Sequence, residues 1–288
     1  MTPGDDIVNS KRKLVIILLT LALVMLTIWT SWSNKALEIN TYQIKSEKLS
    51  DSFDLFRIAQ ISDLHNNTIG KDNNKLISEL ESANPDIIAI TGDLIDSRTT
   101  NVDITVEFIE KAVEIAPCYY VNGNHESRVP NEYETLKNEL VNLGVTILEN
   151  KSVEIERESN TINLIGINDP DFYAEDSITI TDTNINSLDY DRKNFTVLLS
   201  HRPEIFDVYV KNGIDLVLSG HAHGGQFRLP FIGGLFAPHQ GAFPEYDSGL
   251  YSQNNTSMIV SRGIGNSMFP FRFNNRPEII LIELKAIR

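Results

Sequence analysis

The stretch LSGHAHGGQF, Leu218 to Phe227, sets two histidines either side of one alanine and surrounds them with glycine. In an extended or turning backbone, residues i and i+2 reach the same side, so His221 and His223 could each serve one of two neighbouring metal ions. Gly220, Gly224 and Gly225 remove Cβ bulk where backbone must approach such ions closely. Taken alone, the tripeptide reads equally well as a solvated turn. Four other segments carry similar ligand types: SDLH (62–65), TGDLID (91–96), NGNHE (122–126) and SHRP (200–203). Together the five supply Asp63, His65, Asp93, Asn124, His125, His201, His221 and His223, which include five of the six histidines in the chain.

Each of these segments closes a short apolar run: LFRIAQIS (55–62), DIIAITG (86–92), CYYVNG (118–123), NFTVLLS (194–200) and IDLVLSG (214–220). Their length and β-branched content predict strands. Ligands of open α/β sheets gather at the carboxyl ends of strands, so the five loops are expected to converge on one crevice. Helices are predicted near 72–84, 102–116, 131–143 and 203–212, and further strands at 145–150, 152–158, 161–167, 257–263 and 278–286. The expected fold class is α/β, two sheets packed together and flanked by helices. With 288 residues, the chain is long enough to bury a substantial core.

The N-terminus reads differently. Lys11, Arg12 and Lys13 precede a run from Leu14 to Trp32 that contains no charged residue. Nineteen residues at helical rise span about 28 Å, close to the thickness of a bilayer's hydrocarbon core. The expected organisation is a cytoplasmic tail (1–13), a transmembrane signal anchor (14–32), a linker (33–54) and a catalytic domain (55–288). A cleavable signal peptide ending near Ser33 is the rival. The basic flank places the domain outside the cytoplasm, as a single-pass protein of the cell membrane. A net charge of −14 argues against broad attraction to nucleic acid, so no nucleic-acid binding is expected. A single cysteine, Cys118, excludes an internal disulfide.

In order along the chain, D-x-H, G-D-x-x-D, G-N-H-E, a lone histidine after a strand and then G-H-x-H resemble the calcineurin-like metallophosphoesterase superfamily. The likeness runs over about residues 55–287. The G-H-x-H-G-G-Q form, the apolar N-terminus and the tail SRGIGNSMFPFRFNNRPEI resemble its membrane-anchored bacterial branch, which includes phosphodiesterases and relatives of UDP-2,3-diacylglucosamine pyrophosphatases. The resemblance implies a four-layer α-β-β-α sandwich and two divalent metal ions, Mn, Fe or Zn. It implies that Asp63, His65 and His223 hold one ion, that Asn124, His201 and His221 hold the other, and that Asp93 bridges them.

A hydroxide shared by the two ions would then attack a phosphodiester, phosphomonoester or pyrophosphate bond. In the same family His125 serves the leaving group as proton donor rather than binding metal. Asp96 is the expected partner that orients His125 and raises its pKa; a helix N-cap is the alternative role for Asp96. Arg262 and Arg272 are candidates for recognising a second phosphate or head group, with ordinary salt bridges as the alternative. His239 belongs to no motif and reads as a surface or lid residue. The loop 224–246, with phenylalanines at 227, 231, 236 and 243, reads either as an apolar wall for an acyl chain or nucleobase or as an internally packed loop. The expected substrate is a phosphate ester, lipid-linked or nucleotide-linked; alternatives are a lipid pyrophosphatase specifically and a metal-binding scaffold without turnover.

Overall fold

The computed structural model describes residues 3–266 and 269–288; Met1 and Thr2 of the expected tail, and Ser267 and Met268 of the C-terminal motif, lie outside the described residues. Helix α1 (Pro3–Ser33) leads into β1 (Glu38–Ser46), β2 (Arg57–Ile61), α2 (Asn74–Ala83), β3 (Ile87–Thr91), α3 (Val102–Ala112), β4 (Cys118–Val121), a single turn α4 (Asn124–Ser127), α5 (Pro130–Asn142) and β5 (Thr146–Ile147). There follow β6 (Lys151–Arg157), β7 (Asn160–Gly166), α6 (Ser177–Ser187), β8 (Thr196–Leu199), α7 (Phe206–Lys211) and β9 (Leu216–Ser219). Four short strands come next, β10 (Arg228–Leu229), β11 (Gly233–Gly234), β12 (Phe236–Ala237) and β13 (Gly241–Ala242), and then β14 (Gly249–Gln253), β15 (Thr256–Val260) and β16 (Glu278–Ala286).

One sheet runs β1-β16-β2-β3-β4-β5 and the other β14-β15-β9-β8-β7-β6. The central strands β2 to β5 are parallel, as are β7, β8, β9 and β15. Alternation along each strand explains the layering, because successive side chains point to opposite faces. Ile58, Ala89, Val121, Leu199 and Leu218 meet between the sheets. Their neighbours Ala59, Ile88 and Ile90 pack on Leu76, Phe108 and Leu136 of the outer helices. Leu198 and Val217 pack on Ile185 and Phe206 on the opposite side. The result is the expected four-layer α-β-β-α sandwich, preceded by one apolar helix.

Two segments differ from expectation. Residues 33–54 are not a linker, because β1 pairs in parallel with β16 from Glu38↔Glu278 to Ser46↔Ala286. Phe53, in a short turn just beyond, is fully buried. As an edge strand of mostly polar residues, β1 shows little apolar patterning, and its partner lies at the other end of the chain. Helix α6 likewise goes beyond what the pattern predicts, since its threonines and asparagines form no apolar stripe. It is started by the Asp176 side chain, which accepts from the Thr179 N–H at 2.9 Å, and held down by Ile185.

Candidate metal centre

All eight residues singled out at strand ends are brought together and buried. They fall into two groups of acceptor atoms that share one carboxylate. In the first, His65 Nε2 and His223 Nε2 face each other at 3.1 Å, His223 Nε2 lies 3.2 Å from Asp63 Oδ1, and His65 Nε2 lies 3.5 Å from Asp93 Oδ2. In the second, His201 Nε2 stands 3.2 Å from both His221 Nδ1 and Asp93 Oδ2. The Asn124 amide oxygen faces His221 Nδ1 at 2.8 Å, acceptor to acceptor. Its amide nitrogen faces the Arg128 guanidinium at 3.0 Å, so without a cation the amide would be better turned over. Asp93 Oδ2 is the atom common to both groups.

Imidazole nitrogens and carboxylate oxygens gathered this closely in a buried site could hold a cation between them. Backbone and side-chain partners hold the ligands in the orientation this requires. His201 Nδ1–H donates to the Thr91 carbonyl at 2.7 Å, which turns Nε2 toward Asp93 Oδ2. Asp93 Oδ1 accepts from the His125 backbone N–H at 2.8 Å and so aims Oδ2 inward. The Ser62 hydroxyl donates to Asp63 Oδ2 at 2.6 Å. On the far side of their rings, His65 Nδ1 and His223 Nδ1 have no partner among the described residues.

The electrostatics agree. Burial pushes His65 down to about 3 and holds His221 and His223 well below the ordinary histidine range, so their lone pairs are free. Burial also pushes the Asp63 carboxyl up to about 6. Asp93 feels the same burial, yet the charge and hydrogen bond of His201 outweigh it and hold its carboxyl well below the usual range. His201 in turn is raised to about 10 against its own burial, chiefly by Asp93. A proton shared by this pair thus does part of what a bound cation would do. The donor set of imidazoles, carboxylates and one amide suits Mn²⁺, Fe or Zn²⁺.

Backbone conformation sets these side chains in place. Asp63, His65, Asp93, His221 and His223 all have φ between 47° and 67°. This left-handed region is costly for a residue with a Cβ and is typical of strained functional loops. Close packing of the loops demands glycine between them. At Gly92, with φ of 87°, a Cβ would lie 2.8 Å from both the Gly123 backbone and His201 Nδ1. At Gly220 it would overlap the Ser62 hydroxyl and the Asp63 carboxylate. Buried Glu126 ties two loops together by accepting from the N–H groups of Asp93, Gly123 and Ile95 at 3.0, 2.8 and 3.2 Å.

His125 lies beside the first group, its ring edge-on to His65 at 4.4 Å between centroids. The expected partner arrangement is different from that observed. Asp96 Oδ1 is 3.7 Å from His125 Nδ1, outside hydrogen-bond reach, and its carboxylate is taken up by Arg98 at 2.6 and 3.0 Å. The Ser97 backbone N–H donates to His125 Nδ1 instead, at 3.0 Å. A nitrogen that accepts cannot carry the proton, so the neutral ring bears it on Nε2. Burial lowers the pKa of His125 rather than raising it, although Asp93 and Asp96 pull the other way. Asp96 caps no helix either, since α3 begins after Asn101.

Two residues not singled out as candidates join the site. His239 Nδ1 lies 2.8 Å from His221 Nε2 and 2.7 Å from Arg202 Nη1, its ring stacked on that of His221. Buried Arg202 is itself held by Asp169 at 2.5 and 2.8 Å. Arg202 follows His201 directly in the SHRP segment and was legible there; nothing around His239 pointed to the site. Arg262 and Arg272 are not drawn into the cluster. Arg262 pairs with Glu278 at 2.7 Å and Glu38 at 3.2 Å. Arg272, buried, donates to the carbonyls of Arg262 and Gly265. The aromatic loop divides: Phe227 packs against Phe269 and Phe271, whereas Phe231 and Phe243 stand in solvent.

The calcineurin-like phosphoesterase family profile matches residues 56–225. An uncharacterized metallophosphoesterase of Bacillus subtilis (strain 168), YkuE, is 29% identical over 264 residues, covering 87% of this chain and 86% of its own. The phosphodiesterase YaeI of Escherichia coli (strain K12) is 30% identical over 202 residues, covering 69% of this chain and 70% of its own. Among solved structures, the Thermus thermophilus protein TT1561 has a similar fold, with a TM-score of 0.51 over 73% of this chain and 90% of its own at 12% identity.

Proposed function

The chain belongs to the calcineurin-like phosphoesterase family, and from that premise we propose that it is a membrane-anchored, dinuclear metal-dependent hydrolase of phosphate esters. The observation that carries the reading is the pair of acceptor clusters meeting at Asp93 Oδ2. Asp63, His65 and His223 would hold one divalent ion, Asn124, His201 and His221 the other, and Asp93 both. Two such ions would supply Lewis acidity toward phosphoryl oxygens and activate a water for in-line attack.

The chain's own residues do the rest. With four neutral imidazoles and one amide, the only ligand charges are those of Asp63 and Asp93, so two divalent ions would leave net positive charge in the cleft. A protein of net charge −14 thereby gains a local attraction for an anionic phosphoester. His125, neutral and protonated on Nε2, can hydrogen-bond to a departing oxygen and stabilise its developing charge while keeping its own proton, the departing alkoxide then taking a proton from water. Asp96 sets the local potential and fixes Arg98 at the rim; it is not the group that orients the ring.

Purified protein is expected to contain close to two transition-metal equivalents per chain. Chelation should abolish hydrolysis of bis-p-nitrophenyl phosphate, and Mn²⁺ or Zn²⁺ should restore it. Full activity in metal-free protein would overturn the proposal.

Helix α1 supports the anchor. Its run Asn9–Ser33 is long and apolar enough to cross a bilayer. Lys11, Arg12 and Lys13 at one end favour a domain outside the cytoplasm. A reporter fused after Arg288 is expected to be active outside the cytoplasm, with the protein in the membrane fraction. A soluble chain beginning near Asn34 would show cleavage instead.

A further inference from the structure

The apolar helix is latched to the catalytic domain, and the latch lies beside the metal cluster. Asn34, one residue past α1, clasps the backbone of Arg272 from both sides: its amide nitrogen donates to the Arg272 carbonyl at 2.8 Å and its oxygen accepts from the Arg272 N–H at 2.7 Å. The Arg276 guanidinium donates to the carbonyls of Ala36 and Leu37 at 2.7 and 2.9 Å and sits over the Trp32 ring at 5.2 Å. Soon after the helix ends at Ser33, the chain enters the first sheet as β1 at Glu38.

The latch brings Pro270 and Phe271 alongside the helix. A cleft of about 570 Å³ lies between Leu26, Thr27 and Thr30 of α1 and Asn67, Pro270 and Phe271 of the domain. Leu26 is seven residues before the helix end at Ser33, so at helical rise this wall reaches about 10 Å back along the span. Phe269 and Phe271, 42% and 45% exposed, present an apolar edge beside this cleft. Both of these residues, Phe269 and Phe271, are bound to the metal loop. Gln226, just beyond G-H-A-H-G-G, donates to the carbonyls of Phe269 and Phe271 at 3.3 and 3.0 Å, and Phe227 packs against both rings. A second cleft, of about 440 Å³, is lined by His65, Asp96, Arg98 and Phe269. Asn67, Asn266 and Pro270 border both clefts.

We infer that the mouth of the metal cluster opens at the head-group layer of the bilayer, and that the phosphoester it takes is carried by a membrane lipid admitted past Phe269, Pro270 and Phe271. This rests on the reading of the cluster as a metal-dependent phosphoesterase and of α1 as a membrane span. At that depth aromatic side chains settle at the boundary between head groups and acyl chains. Lys35 and Arg98, one at each cleft, offer cationic partners along the way from a lipid phosphate to His65. A water-borne ester would need only a tether; a fixed orientation with the cleft against the bilayer suits a substrate that never leaves it.

Full-length protein in vesicles of phosphatidylethanolamine and phosphatidylglycerol tests the inference. Cys118 is buried, with its thiol pushed up to about 12, so a nitroxide can be placed selectively on Phe271→Cys. The label is expected to be relaxed by oxygen more than by a water-soluble nickel chelate, as at the acyl boundary; the opposite order overturns the inference. Hydrolysis of these lipids, with phosphatidate included as a monoester, is compared with that of bis-p-nitrophenyl phosphate. Wild type should act on at least one lipid, and Phe271→Asp should lower the lipid-to-soluble activity ratio by about tenfold or more. An unchanged ratio, or activity confined to the soluble ester, overturns it. Absence of metal-dependent turnover on the soluble ester would instead fault the underlying reading of the cluster.

Discussion

Replacing Asp93 by Asn is expected to lower kcat/KM by at least about 10³-fold and to take bound metal from near two equivalents to below one. No orientation of the new amide serves the site. If its nitrogen replaces Oδ2, two N–H bonds point at the bare nitrogens of His65 and His201 and would repel a cation. If its nitrogen replaces Oδ1, it meets the His125 backbone N–H donor to donor. His201 also loses the charge that raises its pKa. Because Glu126 still ties the two loops, the variant should remain folded, which circular dichroism can check. Wild-type turnover with both ions retained would remove Asp93 from the bridging position.

The second large effect separates leaving-group chemistry from metal binding. His125→Ala is expected to keep both ions while kcat falls by about 10²- to 10⁴-fold on alkyl phosphodiesters. The deficit should shrink on p-nitrophenyl esters, whose leaving group needs little hydrogen-bond stabilisation. This follows from the Ser97 N–H, which occupies Nδ1 and leaves the ring proton on Nε2. The same contact limits what Asp96 contributes. At 3.7 Å the carboxylate acts through space, so Asp96→Asn should cost less than about tenfold, with metal content unchanged. Equal losses of the His125 variant on good and poor leaving groups, together with reduced metal, would make His125 a ligand or a structural residue.

Local pattern is enough for the strands that carry the site. Short, near-continuous apolar runs announce central strands buried on both faces, and each of the five runs is followed within a few residues by its candidate ligands. That Asp63, His65, Asp93, Asn124, His201, His221 and His223 would come together is therefore legible in the amino-acid order alone, as is the pair of sheets flanked by helices. Tertiary contacts decide what local pattern does not encode. The segment 33–54 reads as polar linker until its partner β16 is seen to hold it as a strand. His239 becomes part of the site only because the hairpins after Phe227 fold it back onto His221. Asp96 and Ser97 are adjacent in sequence, and which of them holds His125 depends on fractions of an ångström set by the Asp96–Arg98 pair. Arg262 and Arg272 look available in a glycine-bracketed tail, yet Glu278 and buried carbonyls claim them. Strand and ligand order follow from short-range periodicity and backbone preference, which any window of the sequence contains. Partner choice and the bearing of the anchor helix follow from contacts between residues more than two hundred positions apart, such as Asn34 and Arg272, which exist only once the chain has closed on itself.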